Sequence, residues 1–247
     1  DPQRLPLDQF LEGRIQYYQQ KLQLDEANAK IASLFIVGPQ GDMLGIAFSP
    51  DEIRGQQSVG RYYGYRNYFH GGPQDLAQDI ASRAIATISN THLSRAFQST
   101  TTKKWKIALT TPIYLPTKQV DQVDQANPTN QRELIGIMAV TLNLGDFSYL
   151  RNKTIENQFA VFIDGRMGSE TGRGQRRGTI LQHPAMDELD STPDKPFQIS
   201  AEQLEGLLQG QESLYTDPIG DATGLEKYRG KWIAVLEPVL LPDETPS

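Results

Sequence analysis

The chain has 247 residues, 38% of them hydrophobic and 22% charged, a balance typical of a soluble globular protein with one large or two small domains. Its net charge of −6 argues against nucleic acid as a partner, because a phosphate backbone requires a basic surface. The lack of cysteine excludes disulfides, thiolate metal ligands and a cysteine nucleophile.

The sequence begins at Asp1 without a Met, and it contains no apolar run that approaches the roughly 18 residues of a membrane span. We therefore expect an excised domain that contacts a membrane only through flanking segments outside this sequence.

The first predicted element is one amphipathic helix over residues 7–30, because apolar residues recur at three- and four-residue steps. These residues are Leu7, Phe10, Leu11, Ile15, Tyr18 and Leu22. Two interpretations stay open for this helix. It lies on a sheet, or it is a stalk that pairs with its copy in a homodimer.

The next elements are predicted strands. Two apolar runs, residues 34–37 and 43–48, flank the turn Gly38-Pro39-Gln40-Gly41 and predict a β-hairpin. Further along the chain, the pattern predicts a helical segment at 75–90, a weak strand at 92–99, a strong strand at 104–115, an exposed loop at 116–132 and a buried central strand at 133–144.

A segment rich in aromatic residues, VGRYYGYRNYFHGG at positions 59–72, lies between the hairpin and these strands. It holds four Tyr, one Phe and two Arg. One interpretation is a core strand over residues 62–69 that buries alternate rings. The other is a pocket wall, in which Arg66 offers a forked pair of donors to a ligand carboxylate.

The last hundred residues repeat a similar pattern after a connector at 145–158. Residues 159–163 predict a strand that ends in an Asp164-Gly165 turn, and a strand returns at 178–184 after a loop. A short helix follows with Ser200 as N-cap and Gln203 at its third position, and residues 231–241 predict a closing strand. Strands in hairpins with helices between the groups predict an α+β fold with antiparallel sheets.

Catalytic and metal-binding motifs are absent from the sequence. His70, His92 and His183 share no metal-ligand spacing, and no nucleophile elbow or phosphate-binding loop occurs. We therefore predict no metal, no cofactor and no enzymatic activity for this chain.

The segments YRNYFHGG, HLSRAFQSTTTKKWKIALTTPIY and ELIGIMAVTLNLGDF occur in the order seen in double-Cache (dCache) sensory domains. FAVFIDGR and GTILQHP resemble the later strand–turn–strand of that family, so the resemblance spans nearly the whole chain. The segments YFHG and STTTKKWKIALTTP are most similar to the extracytoplasmic part of planctomycete-type receptor Ser/Thr protein kinases.

The resemblance implies a long N-terminal stalk helix over residues 1–30 and two PAS-like Cache modules. The membrane-distal module, residues 31–148, would bind the ligand. The membrane-proximal module, residues 149–247, would pass on the signal.

The amino-acid-binding branch of the family uses an Arg-x-Trp-Tyr segment, a Tyr-x-Asp pair and an Asp on the last distal strand. Arg66 matches the Arg, while Tyr68 and Phe69 stand at the Trp and Tyr positions. The other counterparts are Phe97 and Ser99, for the Tyr-x-Asp pair, and Thr141, for the strand Asp.

Without these acidic groups a buried ammonium would lack a charge partner, which is costly. The sequence therefore favours a small carboxylate held by Arg66, or a ring compound that stacks on Tyr63, Tyr65 and Tyr68, over an α-amino acid.

The resulting expectation is an extracytoplasmic small-molecule sensor domain of a transmembrane signalling receptor, such as a protein kinase. Two alternatives are a dimerisation or interaction module without a small ligand and, with less support, a hydrolase.

Overall fold

The computed structural model describes residues 4–23, 29–52, 57–78, 85–115, 133–147, 158–168, 176–189, 191–210 and 214–239. The helices are α1 (Leu5–Gln23), α2 (Asn67–His70), α3 (Ala201–Leu208) and α4 (Pro218–Thr223), with short 3-10 helices at Pro184–Glu188 and Glu226–Tyr228. The strands are β1 (Ala29–Val37), β2 (Met43–Phe48), β3 (His92–Leu93), β4 (Phe97–Gln98), β5 (Trp105–Tyr114), β6 (Leu134–Phe147), β7 (Phe162–Asp164), β8 (Thr179–Gln182), β9 (Leu214–Thr216) and β10 (Lys231–Ile233).

The described residues from 4 to 147, which we call the first unit, are built on an antiparallel sheet with the order β2-β1-β6-β5-β3, and β4 also pairs with β5. The predicted hairpin is β1–β2, and the predicted buried strand is β6, which lies between β1 and β5. The predicted α+β class with an N-terminal helix and antiparallel sheets is therefore confirmed.

Helix α1 lies on one face of this sheet. Leu11 and Ile15 are buried against Leu34 and Ala47, so this part of the predicted apolar stripe is covered by the sheet, whereas Phe10 of the same stripe is exposed. Gly45 leaves room for this contact, because a Cβ there would lie 2.9 Å from a side-chain methyl of Leu11, which would have to shift. The prediction that the helix runs to residue 30 was wrong, since α1 ends at Gln23 and β1 begins at Ala29. Pairing of α1 with a second copy stays a prediction.

The aromatic segment, residues 59–72, covers the opposite face of the sheet. Backbone hydrogen bonds tie it to the start of β2, where Met43 N donates to Arg61 O and Tyr63 N donates to Gly41 O. The chain then bends away into α2, so the interpretation of residues 62–69 as a strand was wrong. A short loop at Gly41 permits this contact, because a Cβ there would lie 2.8 Å from the backbone of Gly64.

Other predicted elements changed in extent. The described parts of the predicted helical segment at 75–90 are not helical, and the predicted strand at 92–99 is split into β3 and β4. The predicted loop at 116–132 lies outside the described residues, as do most of the connector and of the loop after Gly165. No helix in the described ranges is long and apolar enough to cross a bilayer.

The described residues from 158 to 239, which we call the second unit, contain two separate two-stranded sheets, β7–β8 and β9–β10. Its helix α3 begins as predicted, with Ser200 Oγ accepting a hydrogen bond from Gln203 N. Two predicted strands are shorter than expected, since β7 begins at Phe162 and β10 ends at Ile233. Phe159 instead packs against His183, Tyr228 and Trp232 in the core of this unit.

An ion cluster of Arg95, Asp164 and Arg166 joins the two units. Arg95 Nη1 lies 3.1 Å and Arg166 Nη2 lies 2.8 Å from the Asp164 carboxylate. Arg166 also donates to the carbonyl oxygens of Leu93 and Ser94 in the first unit. This Asp164 cluster therefore ties the turn after β7 to the chain between β3 and β4.

Candidate functional site

A small cavity of about 30 Å³ lies between the sheet and the aromatic segment. The aromatic segment contributes Tyr63, Arg66 and Tyr68, and Ser58 and residues 99–101 come from loops. The remaining lining residues belong to the sheet, namely Ser33, Phe35, Met43, Ile46, Phe48, Phe97, Lys106 and Thr141.

Six of the eight residues predicted for the site line this cavity, namely Arg66, Tyr68, Tyr63, Phe97, Ser99 and Thr141. The structure places the other two, Tyr65 and Phe69, in the aromatic core beside it. The predicted residues therefore converge on one place, although they are separated by up to 78 positions in the chain. Contact of these residues with a ligand stays a prediction.

Arg66 is already engaged by the chain itself. Its Nη1 donates to Asp75 Oδ2 at 2.8 Å, and its Nη2 donates to Gln98 O at 3.2 Å. Burial lowers the pKa of Arg66, but Asp75 and the neighbouring Tyr groups more than offset this effect, and the net direction is upward. The guanidinium is thus a charged part of the cavity wall, with Asp75 as the partner that sequence reasoning missed.

Lys106 is the second missed residue, and it is the more deeply buried cation. The residue is 1% exposed, and its Nζ donates to Glu52 Oε2 at 2.9 Å. Glu52 is also held by Lys104 Nζ at 2.9 Å and by Asn143 Nδ2 at 2.8 Å. Glu52, Lys104, Lys106 and Asn143 form a network in the first unit, which we call the Glu52 network.

The Glu52 network keeps its carboxylate ionised. Burial raises the pKa of Glu52, but hydrogen bonds from Lys106, Asn143 and Lys104 and the charge of Lys106 more than offset it, so the pKa is lowered. Burial also lowers the pKa of Lys106, and Glu52 opposes this effect only in part. The ammonium therefore lies where an additional anionic partner would be favourable.

Hydroxyl groups supply the remaining polarity of the cavity. Ser33 pairs with Thr141, Ser58 pairs with Thr101, and Tyr63 Oη lies 3.0 Å from Thr100 Oγ1. Burial raises the pKa of Tyr68 well above its ordinary value, so its phenol is neutral. The cavity thus combines cations and neutral hydroxyls with aromatic walls, and its described lining includes no His and no carboxylate.

A signal for Lys106 was present in the sequence. It is a charged residue between Trp105 and Ile107 in a strongly apolar strand. Side chains alternate along a strand, so Lys106 shares the cavity face with Ala108 and Thr110 and not the face of its two neighbours. A lone Lys on a buried face requires a partner, but the sequence does not say that this partner is Glu52, 54 positions away.

The described residues contain no group of three or more His, Cys, Asp or Glu side chains that could hold a metal ion. A larger and more apolar recess of about 720 Å³ borders β3 and β5, with His92, Arg95 and Arg166 on its wall.

The ring of His92 is expected to stay neutral in this recess. Burial, assisted by the charges of Arg166, His70 and Arg95, lowers the pKa of His92 to about 4. Between about pH 6.5 and about pH 4, His92 is protonated in the unfolded chain and neutral in the folded chain. His92 therefore makes the protein less stable as pH falls through that range. An NMR titration, with His92→Gln to assign the signal, should give a midpoint near 4. A midpoint near the ordinary value would show that the ring is solvated.

No protein-family model and no curated protein matches this sequence. Among solved structures, the sensor domain of the histidine kinase DctB from V. cholerae is 13% identical, with a TM-score of 0.44 over 85% of this chain. The chain spans 58% of the length of that DctB chain.

Two chemoreceptor ligand-binding domains are also similar. CtaA from Pseudomonas fluorescens in complex with L-serine is 14% identical, with a TM-score of 0.34 over 75% of this chain and 69% of that one. PctC from Pseudomonas aeruginosa PAO1 in complex with GABA is 13% identical, with a TM-score of 0.33 over 81% of this chain and 78% of that one. All three of these proteins are sensor or ligand-binding domains of signalling proteins, and TM-scores below 0.5 do not establish that this chain shares their fold.

Proposed function

We propose that this chain is a small-molecule sensor domain and that its first unit binds a small carboxylate in the cavity beside Lys106 and Arg66. The observation that carries the proposal is the ammonium of Lys106. It is buried and has three N–H donors, and Glu52 accepts its one hydrogen bond to the described residues. A buried donor without an acceptor is costly, and a carboxylate offers two acceptor oxygens and the complementary charge.

The other groups of the cavity suit the same ligand class. Arg66 adds a second positive charge to the wall. Ser33 and Thr141 share one hydrogen bond, so one hydroxyl of this pair can donate to a carboxylate oxygen. Rings from Tyr68 and Phe97 enclose the apolar part of the space. The six predicted residues therefore keep their proposed role, and Lys106 joins them as the main anchor. Tyr65 and Phe69 would pack in the core against the residues that line the cavity.

Because the cavity is small, a ligand would bind to a conformation of the protein in which the cavity is more open. Two-state binding of this kind shifts the population toward the form that binds better. The aromatic segment is the element that would move, because it forms the wall of the cavity that faces the sheet. Backbone hydrogen bonds at residues 41–43 and the buried rings of Tyr63 and Tyr68 hold it in the closed form. Acids of two to four carbon atoms fit this picture better than larger ones.

The same small volume favours one alternative, in which the aromatic segment is simply core and the chain is an interaction module without a small ligand. The hydrolase alternative has less support, since the described cavity lining holds no His and no carboxylate to act as a base. Membership in an extracytoplasmic receptor, with a Ser/Thr kinase as output, follows only from the resemblance of the sequence motifs. A dimer through α1 is part of the same proposal.

Thermal unfolding with and without short carboxylates tests the proposal directly. A ligand at a hundredfold excess over its dissociation constant should add about 2.7 kcal/mol of stability, or roughly 5–10 °C in melting temperature for a chain of this size. Acetate, propionate, lactate, pyruvate and succinate form the panel, with glycine and serine as the amino-acid comparison.

Thr141→Val supplies a sharp variant, because Val keeps the shape and removes a hydroxyl of the cavity. Its matched control is Thr110→Val, in which a buried Thr on the neighbouring strand loses its hydrogen bond to His92 O outside the cavity. Carboxylate affinity should fall about tenfold in the first variant and stay unchanged in the second. If no carboxylate raises the melting temperature, the interaction module becomes the better description. If glycine and serine prevail, the ligand class is wrong.

A further inference from the structure

The recess of about 720 Å³ beside β3 and β5 has the size and the lining of a small-molecule site. Such sites run from about 300 to 1,000 Å³ and are mostly apolar, with a few polar groups. Leu93 is the cross-strand partner of Leu109, and Leu142 is the partner of Ile107, so the four side chains share one face of the sheet. Phe162 packs in one cluster with three of these residues, so the second unit contributes to the same apolar wall.

Helix α1 leaves this part of the sheet uncovered. Leu34, Val140 and Leu109 are paired in one row across β1, β6 and β5, so their side chains lie on the same face. The helix packs over Leu34 at one end of the row, whereas Leu109 at the other end is 46% exposed. A ligand in the recess would therefore gain from the burial of this apolar surface.

The polar part of the recess carries an excess of positive charge. Arg95 and Arg166 line it, and its described lining includes no Asp or Glu. The two guanidinium groups share one carboxylate, that of Asp164. Burial and the neighbouring positive charges, first among them that of Arg166, lower the pKa of His92 in the same recess. A place that disfavours a further cation favours an anion.

Arg166 is the cation that an anion in the recess can reach. Its side chain is 22% exposed, against 7% for Arg95. A guanidinium has five N–H donors. Nε and Nη2 donate to Asp164, Nη2 also donates to Ser94 O, and Nη1 donates to Leu93 O. Within the described ranges one N–H of Nη1 therefore has no acceptor, and a carboxylate oxygen would supply one.

We propose that this recess is a second binding site, which takes a monocarboxylate whose apolar body is at least as large as a phenyl ring. The carboxylate accepts from Nη1 of Arg166, and the apolar body packs on Leu93, Leu109 and Phe162. The short acids proposed for the cavity beside Lys106 are too small to cover this wall. The site is independent of that cavity, so the two proposals can fail separately.

A pair of matched probes tests the site in the unaltered protein. Hydrocinnamate and hydrocinnamamide have nearly the same shape, and only the first is an anion. The chain has four Met residues, so isotope labelling of their methyl groups gives a simple NMR spectrum. Met167 lines the recess, and Met43 lines the cavity beside Lys106. Met138 lies in the cluster under α1 and Met186 lies in the core of the second unit, so these two are internal controls.

The expected result is a saturable movement of the Met167 signal with hydrocinnamate, about tenfold weaker binding of hydrocinnamamide, and no movement at Met138 or Met186. Leu109→Glu places a carboxylate on the apolar wall and should abolish the response. Leu44→Glu is the matched control and should leave the response unchanged. Leu44 on β2 lies outside the recess and is 41% exposed, against 46% for Leu109.

The proposal is overturned if Met167 does not respond, if the two probes bind equally well, or if the two Glu variants behave alike. Movement of all four Met signals together would show adsorption to the surface and would overturn it as well. Propionate, in contrast, should move Met43 and leave Met167 in place, and the lack of a response at Met43 counts only against the cavity beside Lys106. Because the probe comparison uses the unaltered protein, a failure of Leu109→Glu to fold does not protect the proposal.

Discussion

Replacing Lys106 by Met is expected to lower the free energy of unfolding by about 3 kcal/mol, because removal of one partner leaves a buried charge with weaker compensation. Met keeps the length and the apolar stem of the side chain, so the change isolates the ammonium. Among the described residues Glu52, which is 7% exposed, would retain Lys104 and Asn143 as partners. Urea unfolding followed by Trp fluorescence measures the loss.

The matched control is Lys104→Met, which removes an ammonium from the same carboxylate at a more exposed position. The Lys104 side chain is 35% exposed against 2% for Lys106, so we expect a loss of no more than about 1 kcal/mol. Equal losses from the two variants would contradict the view that burial decides the effect.

The double variant Glu52→Gln with Lys106→Met separates stability from binding. It removes both buried charges, so most of the lost stability should return. Carboxylate binding should stay absent, because the anchor is missing. A folded double variant that still binds the same carboxylate would disprove the role proposed for Lys106.

Low pH should reduce the stabilisation that the ion pair of Glu52 and Lys106 contributes. The pKa of Glu52 is lowered from its ordinary value of 4.5, so the pair contributes fully above that value and its contribution is lost as pH falls through the lowered pKa. The difference in stability between the unaltered protein and Lys106→Met should therefore shrink below pH 4.5.

Asp164→Asn is expected to lower the free energy of unfolding by about 3 kcal/mol, because it removes the single negative charge that Arg95 and Arg166 share within the Asp164 cluster. The carboxylate is 4% exposed, and the Asn side chain has nearly the same shape. Because this cluster joins the units, unfolding should also become less cooperative, with different transitions for Trp105 and Trp232.

Asp221→Asn provides the control for this second variant. Asp221 is exposed on α4 in the second unit, so the same substitution should change stability by less than about 0.5 kcal/mol. If Asp164→Asn behaves like Asp221→Asn, the Asp164 cluster does not hold the units together.

Local patterns predicted the parts of the fold that depend on local physics. The hairpin β1–β2 follows from two apolar runs around a Gly-Pro-Gln-Gly turn, and the cap of α3 follows from Ser200. The central position of β6 follows from its nearly continuous apolar sequence. In each case the deciding residues are neighbours in the chain.

The aromatic segment and the ion pairs could not be predicted in the same way. Alternating rings suggested a strand at 62–69, but the contacts of Tyr63 with Gly41 and of Asn67 with Asp75 bend the chain into a loop and a short helix. The partners of Arg66 and Lys106 depend on tertiary structure, because burial, not sequence spacing, decides which carboxylate each cation needs.

The position of α1 has a consequence for any paired receptor built from this domain. Leu11 and Ile15 of the helix are covered by the sheet, so a second copy would have to use the outer side, where Leu5, Phe10 and Tyr17 are 46–55% exposed. The cavity that we propose as the ligand site lies on the opposite face of the same sheet. In a pair formed along α1 the two cavities would therefore face outward, and neither copy would block the cavity of the other. A movement at either cavity would have to be transmitted through the sheet to reach the paired helices.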